Sequence, residues 1–280
     1  MARKNFFELM EREVNFQDEY EKIENAIIND NLYGSLDDVI EKVFNEWKYR
    51  KNYISFWELR CQLNFTYSES EEYGVKYEPD RKSIKMNDFL TYAEMILNML
   101  TLLNEQNSLL YTSKIQLVRE TILYDLEKIN YEPIEQNKGQ IMIVQKDAAV
   151  SAVVDLVETD LARTIIRYNH YLLKGDIEAK KEILRKIADA LEPRRRELES
   201  VNKSLASDFF LLVNKMNIRH NNCDASDKAK YVEAFAKMTK KQKENWYDEI
   251  YQQGLMAFLI LEQAERNKRI AEFKKNLTGK

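Results

Sequence analysis

A run of hydrogen-bonding side chains, Arg219-His220-Asn221-Asn222, is the part of the sequence best suited to chemistry. An arginine stays positively charged at physiological pH and can direct two N–H donors at a phosphate, and a histidine can take up or release a proton near neutrality. Arg219 and His220 are therefore candidate catalytic residues, with Asn221 and Asn222 as candidate binding residues. The same residue types are favoured where a helix ends, so a polar helix C-cap is the structural alternative.

A second polar cluster, formed by Arg167, Asn169 and His170, is similar to the first, and each cluster holds one of the two histidines of the chain. We predict these three residues as further binding residues. Pro193 either kinks the helix that contains it or occupies the first turn of a new helix. If the chain reverses at this proline, the two clusters come close together, whereas a kinked helix holds them far apart.

Other signatures of catalysis and metal binding are absent from the sequence. There is no glycine-rich phosphate loop and no cysteine pair at metal-binding spacing. Two histidines are too few for a multi-histidine metal site, and no Glu-x-x-His pair indicates a di-metal bundle. The many carboxylates are typical of solvated helix faces. The sequence therefore predicts neither a metal site nor a bound cofactor.

The C-terminal half resembles the HEPN-type helical domains of bacterial abortive-infection proteins, toxins and RNA-cleaving effectors. The resemblance covers roughly residues 147 to 275, where a helix ends in the Arg219 run and another long amphipathic helix follows. In the family motif an arginine and an adjacent polar residue, here Arg219 and His220, precede a histidine by four to six positions. This chain has Cys223, Asp224 and Ala225 in that window. The resemblance therefore implies a non-catalytic member, or an enzyme in which His220 performs the acid–base step.

The composition indicates an all-α protein. Six glycines and three prolines in 280 residues fall far below average usage of about 7% and 5%, and a chain with few turn-forming residues favours long helices over hairpins. No apolar stretch approaches the roughly 20 residues that span a bilayer, and the first residues lack an apolar signal segment. Two cysteines suit a reducing compartment. We therefore predict a cytoplasmic protein that does not enter a membrane.

Three regions are expected along the chain: an N-terminal helical region at 1–130, a small β-hairpin connection at 131–146 and a C-terminal antiparallel helical bundle at 147–280. The hairpin is predicted by β-branched residues on both sides of Asn137-Lys138-Gly139. Capping signals and apolar spacing predict the helices. The first half should contain helices at 6–28, from Ser35 through Trp47, around 53–63, at 88–104 and at 108–130, with a polar loop at 68–81. The second half should contain helices at 147–174, from Asp176 to Pro193, at 194–217 and from Thr239 to about 275.

Two classes of function remain open from the sequence. The first is a helical interaction or regulatory protein of a bacterial defence or phage-linked system, which acts through a protein partner or through self-association. The second is a HEPN-like RNA-cleaving or toxin-like enzyme that uses Arg219 and His220. Basic residues between Lys180 and Arg196 favour an RNA partner, but acidic residues alternate with them, and such alternation is typical of an exposed, salt-bridged helix.

Overall fold

The computed structural model confirms the predicted all-α class: the residues that it describes form helices and one small antiparallel β-hairpin. It describes residues 14–29, 35–47, 50, 53–62, 84–105, 111–137 and 139–278. The predicted loop at 68–81 and the predicted helix starts at Phe6 and Ser108 lie outside these residues. The chain divides into two compact units, Met1–Lys146 and Asp147–Lys280.

The first unit is built from five helices and the hairpin, counted over the residues that the structure describes. The elements are α1 (Phe16–Ile28), α2 (Leu36–Glu46), α3 (Phe56–Gln62), α4 (Met86–Glu105), α5 (Thr112–Lys128), β1 (Tyr131–Asn137) and β2 (Gln140–Gln145). The predicted cap at Ser35 is confirmed, because its hydroxyl accepts a hydrogen bond from the Asp38 N–H at 3.3 Å. The apolar faces of these helices form one core, whose largest side chains include Phe44, Phe89 and Tyr92.

The hairpin is held on α4 by two polar side chains. Asn98 donates to the Ile141 carbonyl at 2.9 Å and accepts from the Ile141 N–H at 2.8 Å, and Glu94 accepts from the Ile143 N–H at 2.8 Å. An isolated two-stranded hairpin is marginally stable, so these contacts explain why it persists in a helical protein. Gly139 has a φ of +71°, which a glycine adopts at little cost.

The second unit is built from helices joined by turns and loops. Its helices are α6 (Ala148–Val154), α7 (Thr159–Tyr168), α8 (Ile177–Leu191), α9 (Arg195–Val201), α10 (Lys203–Lys215), α11 (Glu233–Ala236) and α12 (Lys240–Thr278). The predicted capping box at the start of α12 is confirmed in both directions. Thr239 Oγ1 accepts from the Gln242 N–H at 3.3 Å, and Gln242 Oε1 accepts from the Thr239 N–H at 2.9 Å.

Two of the predicted helices of this unit are shorter than expected. The helix predicted at 147–174 is interrupted between α6 and α7 at residues 155–158. The helix predicted at 194–217 is interrupted at Asn202, whose side chain accepts from the Leu205 N–H at 3.0 Å and so caps α10. Pro193 instead lies in a single 3-10 turn, Glu192–Arg194, that leads into α9. This turn separates α8 from α9, and Asn202 separates α9 from α10 because its side chain supplies an acceptor to the new helix.

The core of the second unit depends on a close approach between α8 and α12. A Cβ atom at Gly254 would lie 2.8 Å from Ile187 Cγ2 and 3.3 Å from a ring carbon of Phe209. The absence of a side chain at this position thus brings α8, α10 and α12 together. None of the helices in the described part of the chain is both long enough and apolar enough to cross a bilayer.

Asp125 of α5 is a buried carboxylate in the first unit, with 0% of its surface exposed. Burial, followed by the nearby charge of Glu19, raises the pKa of Asp125 to about 6, although Lys128 and Lys22 act in the opposite direction. The folded state therefore holds this proton in a pH range where the unfolded chain has released it. The stability of the unit falls as the pH rises from about 4 to about 6, and the loss is complete above that range.

We predict that Asp125→Asn stabilises the protein at pH 7.5 by about 3 kcal/mol and leaves it unchanged near pH 4, because the pKa of Asp125 is raised by about two units and each unit corresponds to about 1.4 kcal/mol. Urea unfolding of the variant and the wild type at both pH values measures the difference. Glu120→Gln, at an exposed position on the same helix, is the control and should show no such dependence on pH. An equal effect of Asp125→Asn at both pH values would contradict the prediction.

Candidate functional site

The polar run at 219–222 follows the end of α10, where the chain turns through Asn217 with a φ of +61°. Asparagine adopts this left-handed conformation more readily than most residues. The Asn217 N–H donates to Asn222 Oδ1 at 2.8 Å, and the Asn222 N–H donates to Asn217 Oδ1 at 3.0 Å. This reciprocal pair closes a tight loop after the helix.

Asn222 also holds the following loop in place. Its Nδ2 donates to the Lys230 carbonyl at 2.6 Å, its backbone carbonyl accepts from the Val232 N–H at 2.9 Å, and only 1% of its surface is exposed. His220 and Asn221, in contrast, are exposed. Of the four predicted site residues, Asn222 therefore has all the contacts of a structural residue, and the two residues before it face solvent.

Arg219 is engaged at the C-terminal end of α8. Its guanidinium donates to the Ala188 carbonyl at 2.9 Å and to Asp189 Oδ1 at 3.3 Å, and it also forms an ion pair with Glu192. Only 19% of its side chain is exposed. An arginine near a helix C-terminus interacts favourably with the last carbonyls and with the helix dipole. These contacts favour the structural interpretation of Arg219, because the donors that would bind a phosphate already have acceptors.

The second predicted cluster lies around the end of α7. Arg167 is exposed, Asn169 is the C-cap of the helix, and His170 is 7% exposed with its ring 4.5 Å from that of Tyr171. Tyr168, between these residues, lies beside the first turn of α8, whereas Arg219 binds the last turns of that helix. The contacts described for the two clusters therefore lie at opposite ends of α8 and do not link them.

A buried charge network on α8 and α12 was not predicted from the sequence. Lys180 Nζ lies 3.0 Å from Glu244 Oε1 and 2.7 Å from Asp248 Oδ1, although only 8% of its side chain is exposed. The Tyr168 hydroxyl donates to the same Asp248 oxygen at 3.0 Å, and the Gly175 N–H donates to Glu244 at 2.6 Å. One signal was available: Lys180 precedes Ile183, Leu184 and Ile187 by three, four and seven residues, which places it on the apolar face of the helix.

The network keeps its charges paired. Burial alone would raise the pKa of Glu244, but the hydrogen bonds from Gly175 and Lys180 outweigh it and hold this pKa below its ordinary value. Burial, and then the charge of Asp248, raises the pKa of Tyr168 well above its ordinary value, so its hydroxyl stays protonated. Glu244 and Tyr168 thus each keep the protonation state that their hydrogen bonds require. The arrangement is suited to holding α7, α8 and α12 together and not to proton transfer near neutral pH.

The basic residues around α8 and α9 are mostly paired with acidic neighbours one helical turn away. Arg185 lies 2.8 Å from Glu182, and Arg195 lies 2.9 Å from Glu199. Arg194 is similarly paired with a glutamate at 3.0 Å. These i,i+3 and i,i+4 pairs support the interpretation of this region as an exposed, salt-bridged surface.

The last turns of α12 have no packing partner among the residues of the second unit that the structure describes. This helix has 39 residues, or about 58 Å at 1.5 Å per residue, and every residue from 266 to 278 is exposed. On this stretch Ile270, Phe273 and Leu277 are 49%, 61% and 67% exposed. Their i, i+3, i+7 spacing places them on one side of the helix, so they form an apolar stripe that faces solvent. We refer to residues 266–278 as the α12 end.

Comparison of the chain with family models, with curated proteins and with solved structures finds no match. Among the residues that the structure describes, no group of three or more His, Cys, Asp or Glu side chains is arranged to hold a metal ion. A function therefore has to be inferred from the geometry of the chain. The two features that bear on it are the loop at 219–232 and the α12 end.

We predict that Arg219→Ala lowers the free energy of unfolding by about 2 kcal/mol, because it leaves the end of α8 without charge-assisted hydrogen bonds. Arg219→Lys should recover little of this loss, since one ammonium cannot reproduce the planar fork of a guanidinium. His220→Ala, at the exposed neighbouring position, is the matched control and should change stability by less than about 0.5 kcal/mol. Urea unfolding of all three variants measures these effects, and an unfolding midpoint for Arg219→Ala equal to that of wild type would refute the structural role.

Proposed function

We propose that this chain is a helical interaction protein that acts by self-association. The α12 end of one molecule packs on an exposed helix of a second copy, and the rest of the second unit holds α12 in place. The observation that carries this proposal is the solvent-facing stripe of Ile270, Phe273 and Leu277 on a helix that continues about 25 Å past its last buried residue, Leu261. Large apolar side chains at i, i+3 and i+7 are the anchors by which a helix is recognised.

The distribution of charge favours a second copy as the occupant. Residues 266–278 contain five basic residues and one acidic residue, a net charge of +4, whereas the whole chain has a net charge of −4. The remainder of the chain therefore has a net charge of −8. Electrostatic attraction steers two such molecules so that the basic end of one meets the acidic body of the other.

The outer face of α5 offers a complementary surface on the second copy. Leu117, Leu123 and Tyr124 are 56%, 39% and 64% exposed, and Glu120 and Glu127 lie on the same exposed side of the helix. Leu117 and Tyr124 are seven residues apart, the same separation as Ile270 and Leu277, so two helices can align their apolar stripes over two turns. The two acidic residues on α5 then lie beside the basic residues of the α12 end.

The size of these surfaces predicts a weak association. Six partly exposed apolar side chains contribute on the order of 1.5 kcal/mol each when they become buried. This gain has to offset an association cost of about 4–15 kcal/mol. Self-association is therefore expected to depend on protein concentration, and it should weaken at high salt because opposite charges contribute to it.

The contacts of Arg219 favour an interaction protein over an RNA-cleaving enzyme. Its three acceptors at the end of α8 and in the following 3-10 turn compete with any phosphate for the guanidinium, and the exposed His220 lies next to an arginine whose donors are already in use. The HEPN-like alternative requires Arg219 to be available for RNA.

We expect sedimentation equilibrium at increasing concentration to show species heavier than the 33.4 kDa chain, and Phe273→Glu to shift the protein to the monomer, because a charge in the stripe prevents its burial. Leu211→Glu is the matched control, since Leu211 of α10 is 55% exposed but lies outside both proposed surfaces. A wild-type protein that stays monomeric at all concentrations would exclude self-association as the function.

A charge exchange tests the pairing of the two surfaces. One variant carries Arg269→Glu and Lys274→Glu on the α12 end, and the other carries Glu120→Lys and Glu127→Lys on α5. Each variant alone should associate more weakly than wild type, because the first lowers the net charge of the α12 end from +4 to 0 and the second places lysines opposite the basic α12 end. An equimolar mixture should associate, because the unchanged α12 end of the second variant can meet the unchanged α5 of the first. If the wild type associates but the mixture does not, the second copy docks elsewhere and the role assigned to α5 is wrong.

We predict that expression of the wild type leaves cellular RNA intact and growth unchanged. Total RNA integrity and growth after induction are compared for wild type, Arg219→Ala and His220→Ala, with soluble expression of each confirmed. RNA cleavage by the wild type that is lost in both variants would contradict the interaction proposal and favour the enzyme alternative.

A further inference from the structure

A thiol and an amine meet where the loop after α10 reaches the start of α12. Cys223 is an exposed free cysteine, one residue beyond the buried Asn222. Lys243 Nζ lies 4.0 Å from its Sγ, within the range of a hydrogen bond to sulfur. The same ammonium lies 4.9 Å from the centre of the Phe235 ring, which restricts where it can point. The loop and the helix thus fix both reactive groups at one place.

A buried hydroxyl lies at the same place. Tyr247 follows Lys243 by one helical turn, so both side chains lie on the same side of α12. Tyr247 is 0% exposed, its ring stacks on Phe235 at 6.3 Å, and its hydroxyl has no hydrogen-bond partner among the residues that the structure describes. A buried hydroxyl without a partner is costly, and it marks a position at which an additional polar atom would be stabilised.

Burial sets the protonation state of this hydroxyl. Burial raises the pKa of Tyr247 above its ordinary value, and the charges of Glu178 and Cys223 raise it further. The hydroxyl therefore stays protonated and available as a donor. Lys243 and Tyr247 both lie against the Phe235 ring, so the hydroxyl is on the side of α12 on which Lys243 meets Cys223.

We propose that Cys223 is an oxidation site for a peroxide and that Lys243 and Tyr247 hold the resulting sulfenic acid. This site is independent of the self-association proposed above, because it uses other residues of the second unit. A sulfenic acid needs hydrogen bonds to persist before it condenses or is oxidised further, and the two side chains supply a cationic and a neutral donor.

The chemistry requires only the peroxide as co-reactant. The sulfur of the Cys223 thiolate attacks one oxygen of hydrogen peroxide, so an S–O bond forms and the O–O bond breaks. The sulfur loses two electrons and the peroxide gains them. The Lys243 ammonium donates a proton to the departing hydroxide, which leaves as water, and the proton that the thiol released returns to the amine. The net change is thiol plus hydrogen peroxide to sulfenic acid plus water.

The experiment treats the full chain with a small excess of hydrogen peroxide in the presence of dimedone, which alkylates sulfenic acids. Mass spectrometry of the peptide containing Cys223 follows the rate of labelling, and Cys223→Ser supplies the blank. We expect Lys243→Met to slow labelling by about tenfold, the effect of losing one charge-assisted hydrogen bond. Lys243→Arg, which keeps the charge and the donors, should retain most of the wild-type rate.

Lys240→Met is the matched control, since Lys240 is an exposed lysine one helical turn earlier on α12. Cys223 in this variant should be labelled at the wild-type rate. Equal rates for wild type and Lys243→Met would overturn the proposal, as would equal slowing by Lys240→Met, which would indicate only a change in overall charge. Circular dichroism melting curves identify any variant that has lost its fold, and Lys243→Arg then provides the comparison in a folded protein.

Tyr247→Phe separates the role of the hydroxyl from that of packing. The substitution removes an oxygen that is buried without a partner, so stability should be kept or increased. When dimedone is added at intervals after the peroxide has been removed, the sulfenic acid should decay about threefold faster than in wild type, because it has lost one hydrogen bond. An unchanged lifetime would show that Tyr247 does not contact the oxidised sulfur and would overturn its assigned role.

Discussion

The ion pair between Lys180 of α8 and the carboxylates of Glu244 and Asp248 on α12 fixes the arrangement on which the second unit depends. A buried ammonium has to keep its partners, because removing one side of such a pair costs about 3–5 kcal/mol. The Gly175 N–H and the Tyr168 hydroxyl complete the hydrogen bonds of the two carboxylates. The start of α12 is thereby held against α8 in one register.

A second constraint lies two turns further along both helices, where Gly254 meets Ile187. Seven residues separate Lys180 from Ile187, and six separate Asp248 from Gly254, so the polar and the apolar contact reinforce the same alignment. With two fixed points near its start, a helix of 39 residues has to continue beyond the core. The exposed position of the α12 end therefore follows from contacts far from it.

The sequence predicts those features of the fold that depend on neighbouring residues. The caps at Ser35 and Thr239 and the hairpin turn at Gly139 use contacts within a few residues, and the structure contains them. The cap at Asn202 is also local, but an asparagine inside an amphipathic pattern does not by itself indicate that one helix ends and another begins. The burial of Lys180 depends on which helices pack together, which local patterns do not encode, and in the sequence Lys180 looks like one member of an exposed basic run.

The polar run at 219–222 shows the same contrast between what the local sequence predicts and what the packing of the helices decides. Arg219 and Asn222 have the residue types of a catalytic cluster, yet their hydrogen-bonding groups are used by α8 and by the loop that ends at Val232. By holding this loop, Asn222 places Cys223 next to Lys243, which belongs to the helix that Lys180 has already fixed. Arg219 and Asn222, which looked catalytic from the sequence, thus hold the end of α8 and the following loop in place. The groups that remain available lie on or beside α12: the Cys223 thiol and the Lys243 amine near its start, and the exposed apolar stripe at its end.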